Sequence, residues 1–213
     1  MAKVKICGLN DGAGLDAAIA AGADWIGFVF FPPSPRYASP SMVRALLANR
    51  KDLPQRVGLF VKPTEAMIAE ALDEVQLDIL QLYTSPENAA ALRVRFGLPV
   101  WRATPVSAPA DLPRSLDGVD ALLVESKPPL GATRPGGNAV RFDWTLTRDW
   151  PAPGPWILAG GLDPDNVAEA IQQSGATAVD VSSGVERTRG GQDRGVKDPA
   201  LIDAFIHRAR GGT

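Results

Sequence analysis

Eight short apolar runs punctuate the chain from end to end: VKICGL, DWIGFVFF, RVGLFV, LDILQLY, PVWRA, ALLVE, WILAGG and AVDVSSG. Several are near-continuously apolar rather than alternating, the pattern of strands covered on both faces, as in a parallel sheet. Helical patterns lie between most of them. Thr64 can cap the segment Glu65 to Leu72, which keeps one apolar face. In LDPDNVAEAIQQSG, Asp163 is expected as N-cap, Pro164 at the first helical position, and Gly175 just past the last turn. Asp198 and Pro199 repeat that start in KDPALIDAFIHRAR. Strand and helix thus alternate at roughly 20 to 35 residues, the spacing of βα units. Eight such units with no interior linker predict a single-domain (β/α)8 barrel over residues 1–213. The rival is an open doubly wound sheet, but no GxGxxG follows the first run.

Two Pro/Gly-rich stretches interrupt the repeats: PPLGATRPGG, from Pro128 to Gly137, and ERTRGGQDRGVKD, from Glu186 to Asp198. Both follow strand ends, where barrel enzymes carry their active-site loops, and both are read as loops within one domain.

Composition narrows the chemistry. A net charge of −2 gives no bulk attraction for nucleic acid or an anionic membrane, so any bound anion needs a local site. Cys7 is the only cysteine, which excludes an intrachain disulfide and a multi-cysteine metal site and points to a reducing compartment. No apolar run is long enough to span a bilayer, and the N-terminus lacks a signal-peptide core; the cytoplasm is expected. The single histidine, His207, falls in a helical pattern near the C-terminus and reads as an exposed or cap-proximal residue. Acid–base chemistry must then come from Cys, Asp, Glu, Lys or Tyr.

In a barrel, polar residues at the C-terminal ends of strands face the site. That rule selects Cys7, Arg36, Gln81, Tyr83, Arg102, Glu125, Gly160, Gly161 and the run Asp180 to Gly184. Glycines after strands seven and eight (AGGLDPDN and DVSSGVE) either make tight turns or let backbone N–H groups approach a phosphate without a Cβ in the way. Arg36, in the Pro-rigidified FFPPSPRYASP, is a surface residue or a clamp for a carboxylate or phosphate. Glu125 ends the apolar run ALLVE, as a salt-bridged anchor or as a general acid whose apolar setting raises its pKa. Cys7 is a small buried hydrophobe or a thiol facing the mouth, with its thiolate favoured by N–H dipoles and neighbouring cations.

Taken in order, VKICGL, GADWIGFVFFPPSPRYAS, VGLFV, LDILQLY, RPGGNAVRFDW, LAGGLDPDNV and VDVSSGVE…KD resemble phosphoribosylanthranilate isomerase, essentially from end to end. The resemblance implies a (β/α)8 barrel of tryptophan biosynthesis. Its reaction is the Amadori rearrangement of N-(5′-phosphoribosyl)anthranilate to 1-(2-carboxyphenylamino)-1-deoxyribulose 5-phosphate, run without metal or organic cofactor. By the same resemblance Cys7 corresponds to the general base and Glu125 to the position of the general acid. Arg36 corresponds to a residue contacting the anthranilate end. Gly160, Gly161, Ser182, Ser183 and Gly184 fall in the phosphate loops, with Asp180 beside them. Gln81 and Tyr83 complete the expected substrate contacts. The partner is a small molecule, with no nucleic acid or membrane, and a monomer is expected rather than a homodimer.

Two positions depart from the family. Its acid at the end of strand six is an aspartate, where this chain has Glu125, and its usual histidine after QL is Tyr83 here. The extra methylene moves the proton by about an ångström, and a misplacement of that size can cost on the order of 10²-fold. These changes leave open a barrel that keeps the phosphate grip with lost or altered chemistry. Another aminoaldose-phosphate isomerase is the third option. The stretch 187–195 is read as a solvated loop, with a lid over the phosphate as the alternative.

Overall fold

The computed structural model describes residues 1–127, 142–188 and 194–212. In chain order it contains β1 (Lys3–Cys7), α1 (Gly12–Ala20), β2 (Trp25–Val29), α2 (Pro40–Leu47), β3 (Gln55–Val61), α3 (Glu65–Glu74) and β4 (Ile79–Tyr83). There follow α4 (Pro86–Phe96), β5 (Val100–Val106), β6 (Ala121–Ser126), β7 (Trp156–Leu158), α5 (Val167–Ser174), β8 (Ala178–Val181) and α6 (Pro199–Ala209). Each strand pairs in parallel with the next, and β8 returns to β1 with Asp180 opposite Lys5, so the sheet closes on itself. The (β/α)8 expectation holds, and closure rules out the open-sheet rival.

The helix starts follow their caps. Thr64 Oγ1 accepts from the Met67 N–H at the head of α3, and Asp198 Oδ1 accepts from the Ala200 N–H at the head of α6. Gly175 ends α5 in the left-handed conformation, with φ 71°. Its beginning differs from expectation: α5 starts at Val167 with Asn166 as N-cap, not at Asp163. The Asp163 side chain instead accepts from the Asp165 N–H and the Asn166 side chain from the Asp163 N–H, which closes a turn before the helix. The unit between β5 and β6 has no α-helix, only a 3-10 turn at Pro109–Asp111. Pro113 accounts for this, because it lacks a donor and pushes Leu112 to an extended ψ of 125°. Between β6 and β7 the described residues hold a 3-10 turn at Trp144–Thr147; the loop at Pro128 to Gly137 lies outside the described residues.

Strand periodicity divides the apolar residues into two shells. Val4, Ile6, Ile26, Phe28, Phe60, Leu80, Leu82, Leu122, Val124 and Val179 point outward and pack beneath the helices. Alternate residues point inward, where Trp25, Val57, Ile79, Trp101, Ala121, Ile157 and Ala178 fill the floor of the barrel. Trp25 and Trp101 meet edge to face there, with ring centroids 5.0 Å apart. With a large apolar plug below, the opposite end of the barrel is left to polar residues. None of the described helices is long and apolar enough to cross a membrane.

Candidate active site

The parity that directs Trp25 and Trp101 inward also directs the polar residues of the strands. On β1 it sends Lys5 and Cys7 to the interior, on β4 Gln81 and Tyr83, on β6 Leu123 and Glu125, and on β8 Asp180. Arg102 falls out of phase between Trp101 and Ala103. Its guanidinium lies 3.2 Å from Asp117 on the outer side, so it is not part of this constellation, contrary to the strand-end expectation.

Cys7 and Glu125 are both buried at the C-terminal end of the barrel. Cys7 packs with Val29 and Leu59, while Leu123, the inward neighbour of Glu125, packs with Ala103 and Ala159. The Tyr83 ring packs against both groups and so lies between them. Glu125 Oε1 is inaccessible and has no hydrogen-bond partner among the described residues. Burial raises the Glu125 pKa to about 8, opposed by the Tyr83 hydroxyl and reinforced by the Asp180 charge. Burial also pushes the Cys7 thiol up, while Lys5 pulls it back down. Both amide atoms of fully buried Gln81 lack partners among the described residues. Asp180 is engaged from below by Lys5, Nζ to Oδ1 at 2.7 Å.

Arg36 is buried rather than on the surface. It crosses Gly8, where a Cβ would come within 2.7 Å of Arg36 Cδ, so the glycine after Cys7 makes the path for the guanidinium. Arg36 Nε donates to Glu186 Oε1 at 2.5 Å. The same oxygen accepts from Lys197 Nζ at 3.3 Å, and Lys197 also donates to the Ser182 carbonyl at 2.9 Å. Burial lowers the Lys197 pKa to about 8, despite the Glu186 carboxylate beside it.

The glycine-bearing turns after β7 and β8 are pressed together. Gly160 and Gly161 have φ of 91° and 69°, conformations that residues with a Cβ rarely adopt. A Cβ on Gly184 would overlap the Leu162 carbonyl oxygen, so the two turns meet backbone to backbone at that glycine. Ser183 and Gly184 form a 3-10 turn with Val185, and the Ser182 hydroxyl donates to the Cys7 carbonyl at 3.2 Å. All five residues are partly exposed at the barrel mouth. Of the loop 187–195, residues 189–193 lie outside the described residues, so the lid expectation falls there; Gly195 packs against the Pro35 carbonyl.

Sequence reasoning therefore located the thiol, the carboxyl, the guanidinium and both turns, and missed Lys5, Glu186 and Lys197. Lys5 had a signal, a cation between the apolar residues Val4 and Ile6 at the parity of Cys7. Glu186 and Lys197 fall within the resembling motif VSSGVE…KD, but nothing local ties them to Arg36.

Residues 4–208 match the family model described as N-(5′-phosphoribosyl)anthranilate (PRA) isomerase. A relative of that name from Acidiphilium cryptum is 54% identical over 209 residues, covering 98% of each chain. A crystal structure of phosphoribosyl anthranilate isomerase in complex with reduced 1-(o-carboxyphenylamino)-1-deoxyribulose 5-phosphate is 33% identical, with a TM-score of 0.81, covering 99% of this chain and 100% of that one. Monomers generated from the dimeric phosphoribosylanthranilate isomerase of Thermotoga maritima superpose with a TM-score of 0.79 at 34% identity, covering 99% and 100% of the two chains. By sequence and by fold alike, this chain belongs to the N-(5′-phosphoribosyl)anthranilate isomerase family.

Proposed function

We propose that the chain isomerises N-(5′-phosphoribosyl)anthranilate by an Amadori rearrangement, with Glu125 as general acid and Cys7 as general base. The observation that carries this reading is the Glu125 carboxyl: buried, without a protein partner for Oε1 among the described residues, and in a setting whose burial pushes its pKa up to about 8. A carboxylic acid kept neutral in water at pH 7 is a proton donor awaiting an acceptor.

The furanose ring oxygen is that acceptor. As it takes the Glu125 proton, the C1′–O bond breaks and the nitrogen lone pair forms the C1′=N⁺ iminium. That cation acidifies C2′–H. The Cys7 thiolate removes the proton, and the C–H electron pair forms C1′=C2′ while neutralising the nitrogen. The resulting enolamine loses its O2′ proton and gains one at C1′, giving the ketone. Each proton transfer contributes about 10²–10⁴-fold. Gly160, Gly161, Ser182, Ser183 and Gly184 are proposed to hold the phosphate, which positions C2′ over the sulfur. Arg36 is proposed to receive the anthranilate carboxylate through the guanidinium nitrogens that Glu186 leaves free, with Gln81, Tyr83 and Asp180 bordering the sugar. No metal or organic cofactor is invoked.

A monomer folded as one domain is the proposed form; light scattering would test it. The cytoplasm is the proposed compartment, where the single thiol stays reduced. The deciding experiment follows loss of phosphoribosylanthranilate fluorescence. Purified protein should abolish it, and Cys7→Ala and Glu125→Gln should each slow turnover about a hundredfold or more. Near wild-type rates in either variant would sink the assignment. Product binding without turnover would leave a binding barrel.

A further inference from the structure

Lys5 is fully buried in the barrel interior, two residues before Cys7 on the same strand face. Space for it comes from Gly27 on β2. A Cβ at that position would lie 2.9 Å from Lys5 Nζ and 3.2 Å from Cys7 Cα, so ammonium and cysteine border one gap. Across the closure, Asp180 Oδ1 accepts from Nζ at 2.7 Å. The Lys5 charge favours the Cys7 thiolate, and the thiolate in turn favours the charged lysine. Burial works against its charge, yet Asp180 and Cys7 hold it above the ordinary lysine value.

The other charged and titratable groups around the sulfur do not supply this service. Asp180 on β8 disfavours a thiolate, Tyr83 on β4 is held neutral well above its usual range, and Glu125 on β6 is itself an acid. Lys197, after β8, favours the thiolate but is engaged by Ser182 and Glu186.

We propose that Lys5 is a positioning residue for the reaction: pinned by Asp180 in the gap left by Gly27, its ammonium stabilises the Cys7 thiolate that removes the C2′ proton. Asp180 keeps the lysine charged, so it serves as a fixed cation rather than as a second proton donor. The inference rests on reading Cys7 as the base.

Because Cys7 is the only cysteine, iodoacetamide alkylation reads it alone. In Lys5→Met the pH midpoint of alkylation should rise by about one unit or more, a tenfold loss of thiolate at fixed pH. Gly27→Ala, whose methyl displaces the ammonium while every charge remains, should shift it in the same direction by less. The alkaline-side break of kcat/KM, which reads the higher of the two pKa values, should move upward with the midpoint, and the rate on the acidic limb should fall in proportion to the lost thiolate. Unmoved midpoints in both variants would overturn the proposal; should Lys5→Met fail to fold, Gly27→Ala decides. Shifted midpoints without turnover would sink the isomerase reading and keep the Lys5–Cys7 coupling. Turnover with unshifted midpoints would do the reverse.

Discussion

Arg36 and Glu186 are separated by 150 positions in the chain and by 2.5 Å in space, Nε to Oε1. The same carboxylate oxygen holds Lys197, and Lys197 holds Ser182. One acidic side chain therefore ties the proposed carboxylate clamp to the proposed phosphate turn. Glu186→Gln should raise KM for the substrate tenfold or more with a smaller change in kcat, since both ends of the ligand lose their alignment. Breaking a buried charge pair typically costs about 3–5 kcal/mol, so thermal unfolding should fall in parallel. Steady-state kinetics and calorimetry on the variant check both.

Stability should depend on pH through Glu125. Its pKa is about 8 in the folded chain against 4.5 for the ordinary carboxyl. Between these values the folded state keeps a proton that the unfolded chain has released, so this contribution is complete below about pH 4.5 and is lost as pH rises through 8. The Tm of the wild type minus that of Glu125→Gln should therefore shrink from about pH 5 to about pH 8.5. A difference that stays flat would show that the carboxyl is not held neutral.

Tyr83 sets where the acid titrates. Its hydroxyl favours the charged form of Glu125, against burial. Tyr83→Phe should raise the Glu125 pKa further and move the acid-side break of the kcat/KM profile, which reads the lower of the two pKa values, to higher pH. Measuring that break in both proteins separates this from a loss of packing, which would lower the rate without moving the break.

Shortening the acid tests how the chain accommodates its longer side chain. Glu125→Asp draws the proton back by about one methylene, and a change of that size can alter rates on the order of 10²-fold. Activity should be preserved or raised if acid length is the only departure, as read by substrate fluorescence. A fall comparable to Glu125→Gln would show that the barrel mouth is shaped around glutamate.

Gly184→Ala should disturb the anion site while leaving Cys7 and Glu125 in place. The added methyl overlaps the Leu162 carbonyl and must force the two turns apart, at about 1–3 kcal/mol. Inorganic phosphate, used as a competitive inhibitor, should bind about tenfold more weakly, by about 1.4 kcal/mol.

Much of this was legible before any coordinates. The eight strands announce themselves because a sheet covered on both faces needs apolar residues at successive positions, so ICG, GFVF and LLV stand out locally. Cys7 and Glu125 were legible for the same reason, as polar or reactive residues ending such runs. Arg102 ends its strand as the rule requires but faces outward, because Trp101 and Ala103 face inward and the residue between them cannot. The helix after β7 was placed three residues early because Asp163 and Pro164 make a good cap by composition, while the Asn166 side chain closes a turn first. Glu186 and Lys197 stand in the resembling motif VSSGVE…KD, but their meeting with Arg36 was out of reach. Ser182 is near in the chain, but Arg36 lies 150 positions from Glu186, and a local pattern carries no record of that meeting across the barrel.

The seam between β1 and β8 has a consequence for biosynthesis. Lys5 and Asp180, joined across it, are 175 residues apart. While the chain emerges from the ribosome, the first strand has no eighth strand to dock on, and the buried lysine has no counterion. The pocket is thus among the last features to mature, and a protein truncated before Ala178 would keep its thiol but never assemble the surroundings that make the sulfur useful.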